Sequence, residues 1–190
     1  FDYNELFGDF DVTMTKNGKQ YQYMKDTKLG NYFISAHYAD KQLGLLVKEL
    51  DKAGILDDTV IMIYGDHDAR ISTSQWNRFY NYDYTTNGIL PDTDPNYKEL
   101  DYYWQEENRK VPLIIWSKDE TFQQEYSKTV STAMGMYNVA PTLGNMLGVY
   151  NKYALGADIM NKKDNLVAFP NGNFVTNYVY YNDNKEEYKL

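Results

Sequence analysis

The chain has 190 residues, enough for one domain with a real core. Its formal charge is −8, from 19 basic and 27 acidic side chains, which argues against nucleic acid as a partner because the chain repels a phosphate backbone. It has no cysteine, hence no disulfide framework and no thiolate metal site, and no apolar run approaches the ~20 residues needed to span a bilayer.

The start, Phe1-Asp2-Tyr3-Asn4-Glu5, has neither a basic n-region nor an initiator Met, so the chain is expected to be part of something longer. Residues 1–25 mix Gly, Asn and Lys without a period and read as loop. Helical spacing begins near Asp26, with Leu29, Phe33, Ala36, Leu43, Val47 and Leu50 on one face, and Gly54 suits the left-handed position that ends such a helix. Thr59-Val60-Ile61-Met62-Ile63-Tyr64 is a continuous apolar run. Its length and β-branched content predict a strand covered on both faces, as in a parallel sheet. Val111-Pro112-Leu113-Ile114-Ile115-Trp116 reads as a second such strand, and helix plus buried strand make half of a βαβ unit.

Between the strands, Ser72 to Lys110 reads as one long polar loop with turn signals at Asn87-Gly88 and around Pro91 and Pro95, anchored by Trp76 and Trp104. A short helix follows, with Asn138 as its cap, Pro141 in its first turn and Gly148 at its end. The tail reads as β-hairpins, the first around Asn171-Gly172 and a second from Tyr178–Tyr181 and Glu186–Leu190. The organisation is thus a loop over 1–25, an α/β part over 26–160 with the long loop 72–110, and a hairpin tail over 161–190, all within one domain. The 20 tyrosines, many in polar stretches, suit half-buried surfaces and sugar or glycerol contacts, although loops packed by their own rings account for most of them.

The sharpest chemical feature is Tyr64-Gly65-Asp66-His67-Asp68. Ligands of open parallel sheets bind beyond the carboxyl ends of strands, and the apolar run delivers Asp66 and His67 there. Carboxylate oxygen and imidazole nitrogen together suit Zn²⁺ or Mn²⁺. The competing reading is a capping Asp beside a packed His. A bound cation would also invert the local field, so an acidic chain can still handle a phosphate. Arg70 follows closely and is a candidate phosphate contact; Arg78 and Arg109 have weaker claims. His37 lies ~90° from the centre of the helix's apolar face at about 100° per residue, a flank position. Asp57, Asp58, Asp92 and Asp94 read as caps and turns, and no second histidine near Ser72, Thr73 and Ser74 completes a Ser-His-Asp triad.

Several segments occur in the order of one family. Asn31-Tyr32-Phe33 to Asp40, Ala53 to Ile61, Gly65-Asp66-His67, Val111 to Ile115, Asn138-Val139-Ala140-Pro141-Thr142-Leu143 with Leu147-Gly148-Val149, and Leu166 to Thr176 together resemble the sulfatase-like phosphotransferases of the alkaline phosphatase superfamily. Within these, the pattern is most similar to the lipoteichoic acid synthase, or phosphoglycerol transferase, family over roughly 29–67 and 111–181. The resemblance implies the carboxyl-terminal part of a catalytic domain whose mainly parallel sheet is flanked by helices, with an antiparallel hairpin region at its end. It implies that Asp66 and His67 bind one divalent metal, Mn²⁺ first with Zn²⁺ or Mg²⁺ as alternatives. A Glu ligand and a nucleophilic Thr would belong to the amino-terminal half of the domain, which is the implied partner. The Thr would attack phosphorus and form a covalent intermediate. A substrate-binding histidine would stand just before Phe1, as part of a His-x-Pro-Phe turn.

The implied activity is transfer of glycerol phosphate from a phospholipid headgroup to a cell-envelope polymer, at the extracellular face of the bacterial membrane, with this chain alone inactive. A sulfatase, phosphodiesterase or phosphoethanolamine transferase of the same superfamily is the alternative within catalysis, and a non-catalytic packing or glycan-binding module is the alternative outside it. Three positions depart from the family pattern. Asn138 stands where the family has Asp, Pro170 where it has Arg, and Asp68 where it often has a neutral residue.

Overall fold

A computed structural model describes residues 10–190, so Phe1 and the expected turn around it lie outside the described residues. The chain forms two compact units, Phe1–Glu125 and Tyr126–Leu190. The class is mixed α/β with an antiparallel carboxyl-terminal region, as expected.

Among the described residues of the first unit, a hairpin stands where a loop was expected. β1 (Met14–Lys16) pairs with β2 (Lys19–Tyr21) across Asn17-Gly18, whose φ angles of 51° and 73° are both left-handed. Two positive φ angles in a two-residue loop match the twist of paired strands, and Asn-Gly tolerates them at low steric cost. Helix α1 (Lys28–Lys52) follows. Its cap is Thr27, whose Oγ1 accepts from the Gly30 N–H at 3.0 Å and donates to the Met24 carbonyl at 2.7 Å. A side chain at Gly30 would strike that carbonyl, so position 30 in the first turn of α1 admits only glycine. Gly54, at φ 70°, ends the helix as its sequence suggests.

The core of this unit joins Val12, Met24, Leu29 and Ile34 to the half-buried Tyr23, Phe33, Ile71, Trp76 and Phe79. Fully burying a side chain such as Met24 or Leu29 contributes ~1.5–3 kcal/mol. The segment between the two long strands is not structureless. It folds into α2 (Thr73–Tyr80), a small hairpin of β4 (Tyr82–Asp83) with β5 (Gly88–Ile89), and α3 (Tyr102–Glu107). Aromatic contacts explain why a polar segment orders. Phe79 packs edge-on against Phe33 and Trp76, and Tyr80 lies 5.5 Å from Trp104. Buried Asn81 receives the Lys98 N–H and donates to the Lys98 carbonyl, pinning the Pro91–Pro95 turns.

β3 (Val60–Tyr64) and β6 (Leu113–Ser117) form where expected, but they pair antiparallel, with Tyr64 opposite Leu113 and Val60 opposite Ser117. The polar segment therefore leaves and re-enters at the same end of the pair. Gly65 makes this possible: its N–H donates to the Pro112 carbonyl, and a Cβ there would lie 2.5 Å from the Val111 Cβ. Nor are the strands covered on both faces within the chain, since Val60, Tyr64 and Ile114 are 44, 50 and 49% exposed. Lys118, just past β6, is held by Asp51 and Asp57 at 2.6 and 2.9 Å, and those two hydrogen-bonded carboxylates push its pKa up. Helix α4 (Glu120–Tyr126) follows.

The second unit carries helix α5 (Val139–Met146) and a four-stranded antiparallel meander of β7 (Leu166–Ala168), β8 (Phe174–Thr176), β9 (Tyr180–Asn182) and β10 (Glu187–Lys189). Both expected tail hairpins are present, β7–β8 across Asn171-Gly172 and β9–β10 across the Asn182-capped turn. Asn138 is not the side-chain cap of α5. It is fully buried, its Oδ1 accepts from the Gly135 N–H at 3.0 Å, and its Nδ2 donates to the Ala157 carbonyl at 3.0 Å. That role needs a donor and an acceptor on one side chain, which asparagine supplies and an ionised aspartate does not. Thr142 extends the tie, donating to the Asn138 carbonyl and accepting from the Ile159 N–H.

Candidate metal centre

The candidate centre lies at the carboxyl end of β3. After Gly65 the chain stops alternating, so Asp66 and His67 can turn to the same side instead of to opposite faces. His67 Nε2 stands 3.7 Å from Asp66 Oδ1, and the two side chains are 57 and 83% exposed. Two donors each ~2.0–2.2 Å from a shared ion stand roughly 3.5 Å apart, so the observed spacing fits one divalent cation. Neither group is spent on a lysine or arginine among the described residues. They supply two donors, and among the described residues no cluster of three or more His, Cys, Asp or Glu side chains completes a site.

The other charged candidates separate clearly. Arg70 is exposed, at φ 50°, and its guanidinium makes no ion pair among the described residues, so it is free to meet an anion. Arg78 is structural: its Nε donates to the Tyr23 carbonyl at 2.6 Å and its guanidinium covers the Tyr82 ring. Arg109 pairs with Glu106 at 3.2 Å and stands 3.7 Å from Asp68 Oδ2. His37 stacks on Phe10 with ring centroids 4.6 Å apart, a packing role on the flank of α1. Asp57 holds Lys118, and Asp94 caps its own turn through the Asn96 N–H.

The surroundings of the pair leave no motif in the sequence. A pocket of about 100 Å³ adjoins it, lined by Asp68, Ile71, Trp76, Gln105, Asn108 and Arg109 among others. Its walls come from the start of α2 and the end of α3, elements that the loop reading of 72–110 left out.

Comparison with known proteins decides the family. The sulfatase family model matches residues 4–149. This chain belongs to the sulfatase family. Within it, the chain is similar to lipoteichoic acid synthases. Lipoteichoic acid synthase 1 of Bacillus subtilis (strain 168) is 36% identical over 154 residues, which make up 80% of this chain and 21% of that protein. Lipoteichoic acid synthase of Staphylococcus saprophyticus is 32% identical over 172 residues, 84% of this chain and 23% of the relative. The crystal structure of the lipoteichoic acid synthase LtaP from Listeria monocytogenes matches with a TM-score of 0.60 at 29% identity, over 84% of this chain and 37% of that one. The sulfatase-family chain thus spans well under half the length of each of these relatives. The superfamily is generally metal-dependent. Among the described residues no helix is long and apolar enough to cross a membrane.

Proposed function

We propose that this chain is the carboxyl-terminal part of the catalytic domain of a metal-dependent phosphotransferase, which moves glycerol phosphate from a phospholipid headgroup to a growing cell-envelope polymer at the extracellular face of the bacterial membrane. The observation that carries the reading is the pair Asp66 and His67, side by side past β3 and paired with no lysine or arginine among the described residues, in a chain whose relatives are lipoteichoic acid synthases. Asp66 Oδ1 and His67 Nε2 would hold one divalent ion, Mn²⁺ by preference, with the remaining ligands and the nucleophile supplied by the amino-terminal half of the same domain. When bound, that ion supplies electrostatic stabilisation of the phosphoryl oxygens and activation of the nucleophile. Arg70, exposed and without an ion pair among the described residues, would neutralise a phosphate approaching the pair. In the overall exchange the phosphorus–oxygen bond to diacylglycerol breaks, diacylglycerol leaves with a proton, and a new phosphorus–oxygen bond forms to the acceptor hydroxyl.

The complete protein is therefore expected to release diacylglycerol from phosphatidylglycerol vesicles. A chelator should stop the reaction and Mn²⁺ should restore it. Turnover indifferent to the chelator, or confined to sulfate esters, would overturn the assignment.

A further inference from the structure

The turn after β3 is built around Asp68. His67 Nδ1 lies 2.6 Å from the Asp68 backbone oxygen. A carbonyl oxygen can only accept, so the proton sits on Nδ1 and the Nε2 lone pair is left free, on the side of Asp66. An isolated neutral imidazole prefers the opposite tautomer. The carbonyl must therefore be held against the ring, and three contacts hold it. Asp68 Oδ2 accepts from the Arg70 backbone N–H at 3.2 Å. The same oxygen stands 3.7 Å from Arg109 Nε, and Glu106 at the end of α3 steadies Arg109. Lys28, at the start of α1, donates to the Arg70 carbonyl at 3.5 Å. Arg70 itself sits at φ 50°, a left-handed conformation uncommon for a residue other than glycine. The Asp68 side chain is 21% exposed, against 83% for Asp66, so its carboxylate is turned into the protein while its neighbour faces out.

We propose that Asp68 is a positioning residue for His67: its carboxylate locks the 68–70 turn, so that its own backbone carbonyl fixes the imidazole as the Nδ1–H tautomer and presents Nε2 outward. The purpose of that arrangement rests on the metal reading above, but the tautomer itself needs no metal. It can therefore be read separately.

The test is ¹⁵N-histidine NMR of the complete protein, metal-free and above the pH of imidazole titration, with the His67 signals assigned by their loss in His67→Gln. The wild type is expected to show the Nδ1–H form. Asp68→Ala should move His67 toward the Nε2–H form and weaken Mn²⁺ binding ~10-fold or more, the usual effect of losing a ligand's outer partner. Asp68→Asn should keep the wild-type tautomer, because its amide oxygen still accepts from the Arg70 N–H. Arg109→Gln, which leaves the turn's own hydrogen bond intact, should give a smaller shift than Asp68→Ala and guards against a misfolded alanine variant. An Nε2–H imidazole in the wild type, or a tautomer unmoved in both Asp68→Ala and Arg109→Gln, would overturn the proposal. A tautomer that shifts as expected in a protein that binds no Mn²⁺ would uphold the role of Asp68 and remove the metal reading instead.

Discussion

Asp66→Asn and His67→Ala, each made alone in the complete protein, are expected to lower metal-dependent turnover about a thousandfold, because a catalytic metal contributes several kcal/mol and ~1.4 kcal/mol is one decade in rate. The fold should not notice either change. Both side chains are mostly exposed, and their partners are each other and the Asp68 carbonyl, within the same turn. Exposed substitutions of this kind change stability by roughly half a kcal/mol or less. Asp66→Asn is the more telling variant, because it keeps size and hydrogen bonding and removes only the charge that a cation needs. The readouts are initial rate and circular dichroism. A variant with near-normal turnover and bound metal would end the assignment of that residue.

The second large effect concerns stability. On α1, Leu45 and Leu46 are 47 and 53% exposed while Leu43, Val47 and Leu50 are partly covered, so the helix is apolar on more than one side. A helix of that kind is normally covered all round. β3 and β6 form a two-stranded sheet, with Val60, Tyr64 and Ile114 uncovered. Such edges and faces invite pairing with another chain. The solved relative extends well beyond the matched region, since this chain accounts for 37% of it. The chain by itself is therefore expected to self-associate and to show no turnover. The rest of the domain, added in trans, should raise its melting temperature. A partner at a hundred times its Kd adds ~2.7 kcal/mol. At this size that is about 5–10 °C. Sedimentation and thermal unfolding, with and without the remaining part, decide the matter. A monomeric chain with an unchanged melting point would show a self-sufficient domain.

The residues that carry strong periodicity or a compulsory backbone conformation were legible in the sequence. α1 begins within two residues of the expected start, and Gly54 and Gly148 take the left-handed φ angles their positions suggest. The apolar runs became β3 and β6, and Asn171-Gly172 makes the tail hairpin. The direction of the β3–β6 pair was not legible, because a continuous apolar run reports how much a strand is covered and says nothing of its neighbour's orientation. The small elements between Ser72 and Lys110 were missed for a different reason. They are held by ring contacts between Phe79, Tyr80, Trp76 and Trp104, which are tertiary and leave no period in so polar a stretch. The hairpin at Asn17-Gly18 did carry a local signal, but its strands are three residues each, too short for alternation to show. At the site, sequence pointed to Asp66 and His67. The contact behind His67 was hidden, since Asp68 meets Arg109 from across the polar segment.

Whether Asp66 and His67 are ligands of one catalytic ion is decided by a Mn²⁺ titration of the metal-free complete protein, followed by the electron paramagnetic resonance of free Mn²⁺. The wild-type protein is expected to take up Mn²⁺ saturably, and Asp66→Asn and His67→Ala are each expected to lose that uptake with secondary structure preserved. Uptake of equal affinity and stoichiometry in wild type and both variants would contradict the assignment.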